Sequence, residues 1–412
     1  MVLLYIDPGT GSMLFTIILG VIGAAVYFVR TLFLKLKFRV EGGSGAIVTD
    51  EKHELVIFAE SRTYFNFFKP VCDELERRKQ KAVYMTSSQN DPIFETGYEY
   101  VTGRYIGEGN KAYAFLNMLN AKVVLATTPN LDVFQWKRSK KAEYYIHLLH
   151  MCTDPSLYRM FALDYYDAVL ISGDYHRDQI RALEKLRALP EKAVEAVGAP
   201  YMDVLDKRAT EKKTEESHSL TVLLAPTWGE HALLKRYGED IIDRLIDTGY
   251  HLIIRPHPQS FISEKELMDR LTEKYPGSDK LEWNRDLDNF DVLSRSDILV
   301  SDFSGVILDY ALVFDKPVIY TKPELNIDEY DAVWLDEQPW IFKTLPKIGY
   351  ELSEENMKDI GSVIEKCLGS GEFAKGRETA RQECWAHRGE GAVKTVDFLM
   401  EKLKTGAEQG LE

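Results

Sequence analysis

A chain of 412 residues has room for two or three domains and a full hydrophobic core, so a peptide or small stapled module is excluded. Apolar residues make up 45% and charged residues 28%, a globular composition that excludes wholesale disorder. Acidic residues outnumber basic ones, 65 to 51, for a formal charge of −14; general attraction to nucleic acid is excluded, and a polyanionic partner needs local basic sites.

Residues 8–29 carry no charge, and residues 13–29 are nearly all apolar, long enough to cross a bilayer. Basic residues (Arg30, Lys35, Lys37, Arg39) follow the run and none precedes it, so the pattern predicts an uncleaved single-pass anchor over residues 13–34. The positive flank places the rest of the chain in the cytoplasm. The alternatives are an interfacial or re-entrant helix, because Gly9, Gly11, Gly20 and Gly23 weaken a long helix, or a buried core helix. The four cysteines are scattered, with no CxxC pair, which reads as a reducing compartment.

After a glycine-rich joint at 41–45, short β-branched runs alternate with helical stretches. Strands are expected at 54–59, 82–86, 122–127, 144–150, 168–172 and 193–197, with a helix at 64–79. Residues 207–219 have almost no apolar side chain and read as a linker. Beyond it, strands are expected at 221–225, 251–255, 297–301 and 317–320, with helices around 240–247 and 264–274 and a helical stretch at 353–403. Runs this apolar suit strands buried on both faces of a parallel sheet. The expected fold is α/β, with two Rossmann-like domains preceded by one transmembrane helix. Its segments are an anchor (1–40), a first, acceptor-side domain (41–206), the linker (207–219), a second, donor-nucleotide domain (220–385), and a C-terminal helix with a polar tail (386–412). A ligand can lie between the strand ends of two such sheets.

Several of those ends carry chemistry. The strand at 251–255 leads into Arg255, Pro256, His257 and Pro258, where two prolines stiffen the exit. Arg255 can grip phosphate bidentately and His257 can donate a hydrogen bond or a proton to a leaving oxygen. The strand at 297–301 is followed by Ser301, Asp302, Phe303, Ser304 and Gly305 and then an apolar helical run, a pattern that suits an anion site and equally an ordinary N-cap. His150 ends a strand of the first half and is the candidate general base, while His147 is expected to be structural. Cys152 raises a nucleophile reading, but no orienting third group is evident. Thr227 and Trp228 follow the first strand of the second half, either at the cleft rim or in a packed turn. The basic cluster Lys137, Arg138, Lys140 and Lys141 is either a solvated face or a lure for an anionic partner. No P-loop, GxGxxG, HExxH or EF-hand pattern is present, so neither a metal nor another cofactor is expected.

These motifs, from about 144 to 320, resemble the CDP-glycerol glycerophosphotransferase family of teichoic acid glycerol phosphate primases and polymerases. The resemblance rests on the strand ending in His150, on AVGAPYMDVL (196–205), LLAPTWGE (223–230) and RPHP (255–258), and on SDFSGVILDYALVFDKPVIY (301–320). Met151 and Cys152 stand where the family usually has Gly and Thr after the histidine, and Phe303 and Gly305 depart from its usual Ser-Asp-Tyr-Ser-Ser. The resemblance implies a GT-B arrangement and transfer of glycerol phosphate from CDP-glycerol, or a related CDP-alcohol, to a hydroxyl acceptor with CMP leaving. It implies catalytic roles for His150 and His257 and donor-phosphate handling by His257, Ser301, Asp302 and Ser304, and the residue chemistry adds Thr227, Arg255 and Gly305 as expected donor contacts. With an anchor, the acceptor is expected to be a lipid-linked glycan or polyol phosphate at the cell membrane. The rivals are a UDP-sugar 2-epimerase-like isomerase of the same two-half architecture, and a membrane-tethered nucleotide-binding scaffold without turnover.

Overall fold

The structure, a computed structural model, describes residue 29 and residues 51–212, 219–286, 288–322 and 326–408. The expected anchor at 13–34 lies outside the described residues except for Val29, as do residues 213–218 of the expected linker. Among the described residues, no helix is long and apolar enough to cross a membrane.

Two parallel sheets organise the chain from Lys52 onward. The first contains β1 (His53–Ala59), β2 (Ala82–Thr86), β3 (Val101–Tyr105), β4 (Ala121–Ala126), β5 (Ala142–Leu148), β6 (Ala168–Ile171) and β7 (Ala193–Ala196), in the order β3-β2-β1-β4-β5-β6-β7. The second contains β8 (Thr221–Leu224), β9 (His251–Ile254), β10 (Leu281–Trp283), β11 (Ile298–Ser301), β12 (Val318–Thr321) and β13 (Gly349–Leu352), in the order β10-β9-β8-β11-β12-β13. Every residue of β4, β8, β11 and β12 is buried, as expected for central strands covered on both faces. The alternation did not reveal β3, β10 and β13 because these edge strands are short and partly polar (VTGRY, LEW, GYEL).

Seven helices matter for the site: α1 (Phe65–Arg77), α2 (Asp174–Arg187), α3 (Pro200–Glu211), α4 (Leu233–Asp247), α5 (Trp340–Ile348), α6 (Gly371–Cys384) and α7 (Gly391–Glu408). Residues 207–211, expected in the linker, form the last turn of α3. Their charges have partners: the Arg208 guanidinium lies 4.0 Å from the Phe290 ring centroid and 2.6 Å from Asp288. α7 carries the chain back to the first half, where Val396 and Leu399 join the core that contains Leu75 and Val123.

One apolar cluster spans both halves, joining Cys152 and Met202 to Ile307, Leu308 and Cys384. Gly198 belongs to this seam. It has φ 91°, a conformation L side chains rarely adopt, and a Cβ there would strike the Ala386 carbonyl oxygen. The seam places the C-terminal ends of β5 and β11 in one neighbourhood.

Candidate active site

β5 stops at Leu148, so His150 sits in the loop beyond the strand, whereas His147 lies inside it, fully buried. Burial holds the His147 pKa down to about 3, and its ring packs against Tyr166 and Tyr158, which fits a structural role. The His150 ring is half-buried, edge-on to Tyr64 at 5.5 Å and to Phe67 at 4.9 Å. Its Nδ1 is buried without a partner, leaving Nε2 as the nitrogen that can meet a ligand. Burial pushes its pKa down to about 4, so the imidazole is neutral at pH 7 and can accept a proton. Phe67 packs in turn on Tyr201 at 4.7 Å, and the Tyr201 hydroxyl donates to Asn289 Oδ1 of the second half at 3.2 Å.

On the opposite side, the Asp302 carboxylate is 3% exposed and accepts the main-chain N–H groups of Thr227 and Leu233, each at 2.8 Å. Burial pushes its pKa up to about 6, and the N–H bonds offset only part of that. Ser301 is fully buried and donates its hydroxyl to the Ala225 carbonyl at 2.6 Å. Both residues were expected to hold donor phosphate, yet their oxygens turn inward to main-chain partners. They fix the turns that present Thr227 and Ser304, both only part-buried.

His257 is exposed. Its main-chain N–H donates to Pro226 O at 3.2 Å, and its Nδ1 accepts the Gln259 N–H at 3.1 Å. With Nδ1 an acceptor, the proton of the neutral ring resides on Nε2, which can donate to a ligand oxygen. Partial burial lowers its pKa from the usual value, and the Trp228 ring lies 6.4 Å away. Arg255 is half-buried and donates to Asn284 Oδ1 and, at 2.8 Å, to the Asp286 carbonyl. Two of its five N–H groups are thereby engaged and the guanidinium is held in place.

A close approach at Met151 links the His150 loop to the turn after β11. The Met151 sulfur, next to His150, lies 2.8 Å from where a Cβ on Gly305 would be. Gly305 has φ −57°, in the helical region, so a larger residue there meets only a steric obstacle, the Met151 side chain, and no conformational one. From His150 the path runs through Met151 to Gly305 and Ser304, then through Asp302 to Thr227 and through Pro226 to His257.

Sequence reasoning missed the aromatic wall of Tyr64, Phe67 and Tyr201, the Asn284 and Asp286 brace, and Asp309. Tyr201 and Asp309 stand inside recognised motifs, which was the available signal; the others carry none. Asp309 is half-buried at the start of a π-type turn, Asp309–Val313, and burial pushes its carboxyl up to about 7. Cys152 does not suit a nucleophile: it is 2% exposed, its thiol 3.3 Å from the Cys384 carbonyl. In the basic cluster, Arg138 pairs with Asp167 at 2.8 Å and Lys137 donates to the Asp132 carbonyl at 2.7 Å, which accounts for both structurally.

Residues 47–336 match the family model described as CDP-glycerol:poly(glycerophosphate) glycerophosphotransferase. The chain belongs to this family. It is accordingly a transferase, and every candidate side chain discussed above lies within the matched range. Among solved structures, the wall teichoic acid polymerase TagF is similar, with TM-score 0.57 at 14% identity over 86% of this chain and 90% of that one. A UDP-N-acetylglucosamine 2-epimerase is similar with TM-score 0.54 at 13% identity, covering 85% of this chain and 96% of that one. The Methanocaldococcus jannaschii UDP-GlcNAc 2-epimerase, solved with UDP-GlcNAc and UDP, gives TM-score 0.52 at 13% identity over 85% and 100% of the two chains. At such identities the likeness is one of fold, the GT-B arrangement of two sheets. No curated protein matches the chain in sequence.

Proposed function

We propose that this glycerophosphotransferase moves glycerol phosphate, or a related polyol phosphate, from a CDP-activated donor to a hydroxyl of a lipid-linked cell-envelope glycan, with CMP leaving. The Met151 sulfur, beside His150, lying 2.8 Å from where a Cβ on Gly305 would be is the observation that carries the reading, because it puts the loop of the candidate base next to the Ser304–Gly305 turn.

In this reading, Nε2 of His150 takes the proton of the acceptor hydroxyl as its oxygen attacks the β-phosphorus. The bond from that phosphorus to the bridging oxygen breaks, and the bridging oxygen leaves on CMP. Arg255 and Nε2–H of His257 neutralise the charge that develops on the phosphates, with the Ser304 and Thr227 hydroxyls as further donors. Binding of the dianionic diphosphate raises the His150 pKa from about 4 toward the working range, which couples base strength to donor occupancy. The apolar segment at 13–34 anchors the enzyme to the cytoplasmic side of the membrane, beside its acceptor; its length and the basic residues after it support this.

Turnover and donor affinity, measured separately, test the assignment. His150→Ala is expected to lower kcat by about a hundredfold with the CDP-glycerol dissociation constant nearly unchanged. His257→Ala is expected to weaken donor binding. Near-wild-type turnover in His150→Ala removes the base; unchanged affinity in His257→Ala removes the donor contact. Epimerisation of a UDP-sugar by the wild type, without CMP release from CDP-glycerol, would favour the isomerase instead.

A further inference from the structure

Away from the histidines, α2 of the first half and residues 334–343 of the second enclose a groove of about 820 Å³, within the range of ~300–1,000 Å³ usual for small-molecule sites. Its walls are tied together. The Asp154 carboxylate, 2% exposed, accepts the main-chain N–H groups of Trp340 and Ile341 at 2.6 and 2.9 Å and also bonds Gln179 of α2. At the inner end, Tyr175 stacks on Trp340 with centroids 4.6 Å apart and planes 33° apart, and its hydroxyl donates to the Cys152 carbonyl, two residues beyond His150. A wall of the groove is thereby tied to the loop that bears the candidate base.

At the outer end stands Trp334, 42% exposed, with the Arg187 guanidinium 5.3 Å from its ring centroid. Arg187 is fixed by Asp164 at 2.7 Å and by Asp331, so Trp334 is a braced aromatic plate. Leu186 adds 54%-exposed apolar surface on the facing helix. Aromatic plates left open to water suit a ligand with apolar C–H faces, and the carboxylates and amide around them suit hydroxyl groups. The charges argue against phosphate: three carboxylates (Asp178, Asp336, Glu337) face two amines (Lys185, Lys343), and Lys343 is already paired with Glu337 at 2.9 Å. A sugar ring satisfies this combination; a chain of polyol phosphates meets net negative charge.

We infer that this groove is the acceptor subsite and takes uncharged sugar rings of the glycan, feeding its terminal hydroxyl toward the His150 loop. The inference rests on the transferase reading, and its test can fail independently of that reading. Saturation-transfer NMR with the full chain in detergent uses chitobiose as the uncharged disaccharide and a glycerol phosphate trimer as the anionic alternative. Wild type is expected to saturate the chitobiose ring protons and to ignore the trimer. Trp334→Ala is expected to weaken chitobiose binding about tenfold. Asp336→Ala, an exposed change with little structural risk, is expected to weaken it less, and both variants are expected to bind CDP-glycerol as the wild type does. No chitobiose signal in the wild type, a signal that survives both substitutions, or trimer binding that Trp334→Ala removes each overturns the proposal. Loss of CDP-glycerol binding in the wild type would instead strike the transferase reading alone.

Discussion

Gly305→Ser tests the contact that joins the two sides of the site. The new Cβ would stand 2.8 Å from the Met151 sulfur, inside any real carbon–sulfur contact, and since the backbone is helical there, the whole cost is steric. The obstacle is the far end of a flexible side chain that is 36% exposed, so it can swing away. The stability loss should therefore sit at the low end of overpacking, ~1 kcal/mol. The functional loss should be larger, because the displaced Met151 is the immediate neighbour of His150 in the same loop. Met151→Thr removes the obstacle, so in the double variant the two substitutions should compensate, with a coupling energy of ~0.5–1 kcal/mol. Urea unfolding of the wild type, both single variants and the double variant closes the cycle, provided the slopes agree. CMP release from CDP-glycerol measured on the same four proteins should follow the same order. Costs that add to within ~0.3 kcal/mol, with no recovery of turnover in the double variant, would refute the contact between the loops.

Asp302→Asn leaves one acceptor oxygen where two now receive the N–H groups of Thr227 and Leu233, so a thermal melt should show a loss of ~2 kcal/mol, and an unchanged midpoint would contradict the clamp. His147→Phe should flatten the acid side of the stability curve. The folded pKa of about 3 lies below the ordinary 6.5, so the stability is full above pH 6.5 and falls as pH drops toward 3. By pH 5 that one histidine costs ~2 kcal/mol relative to pH 7. Urea midpoints at the two pH values should show this difference in the wild type and not in the variant; an equal drop in both would contradict the buried neutral ring. Arg255→Gln should weaken CDP-glycerol binding by about ten- to a hundredfold in calorimetry, with Asn284 and Asp286 as bystanders, and unchanged affinity would remove Arg255 from the site.

The central strands of both sheets were legible because burial on two faces demands unbroken apolar runs, as in VVLA of β4 or ILV of β11. The edge strands were not, since half-covered strands tolerate Thr, Arg and Glu. Residues 207–211 looked like linker because their charges could be read only as solvated; Arg208 over Phe290 is a tertiary contact that composition does not encode. His150, His257 and Arg255 could be located as polar residues ending apolar strands. The direction of Ser301 and Asp302 could not, because whether a strand-end hydroxyl or carboxylate faces ligand or main chain depends on the neighbouring β8 exit. The ring partners of His150 are Tyr64, just before α1, and Phe67 within it, with Tyr201 of α3 packed behind Phe67, and no spacing in the chain announces that these rings meet. Met151 and Gly305 each depart from the family pattern, and the fold makes them one feature: the glycine provides the space that the methionine fills.

The most direct measurement is a single turnover with CDP-glycerol labelled at the β-phosphate and a lipid-linked disaccharide in vesicles. The account predicts that the label moves to the acceptor as CMP appears in equal amount, and that both products vanish together in His150→Ala. Label that stays on the nucleotide while the wild type binds the donor, or transfer that persists without His150, would contradict it.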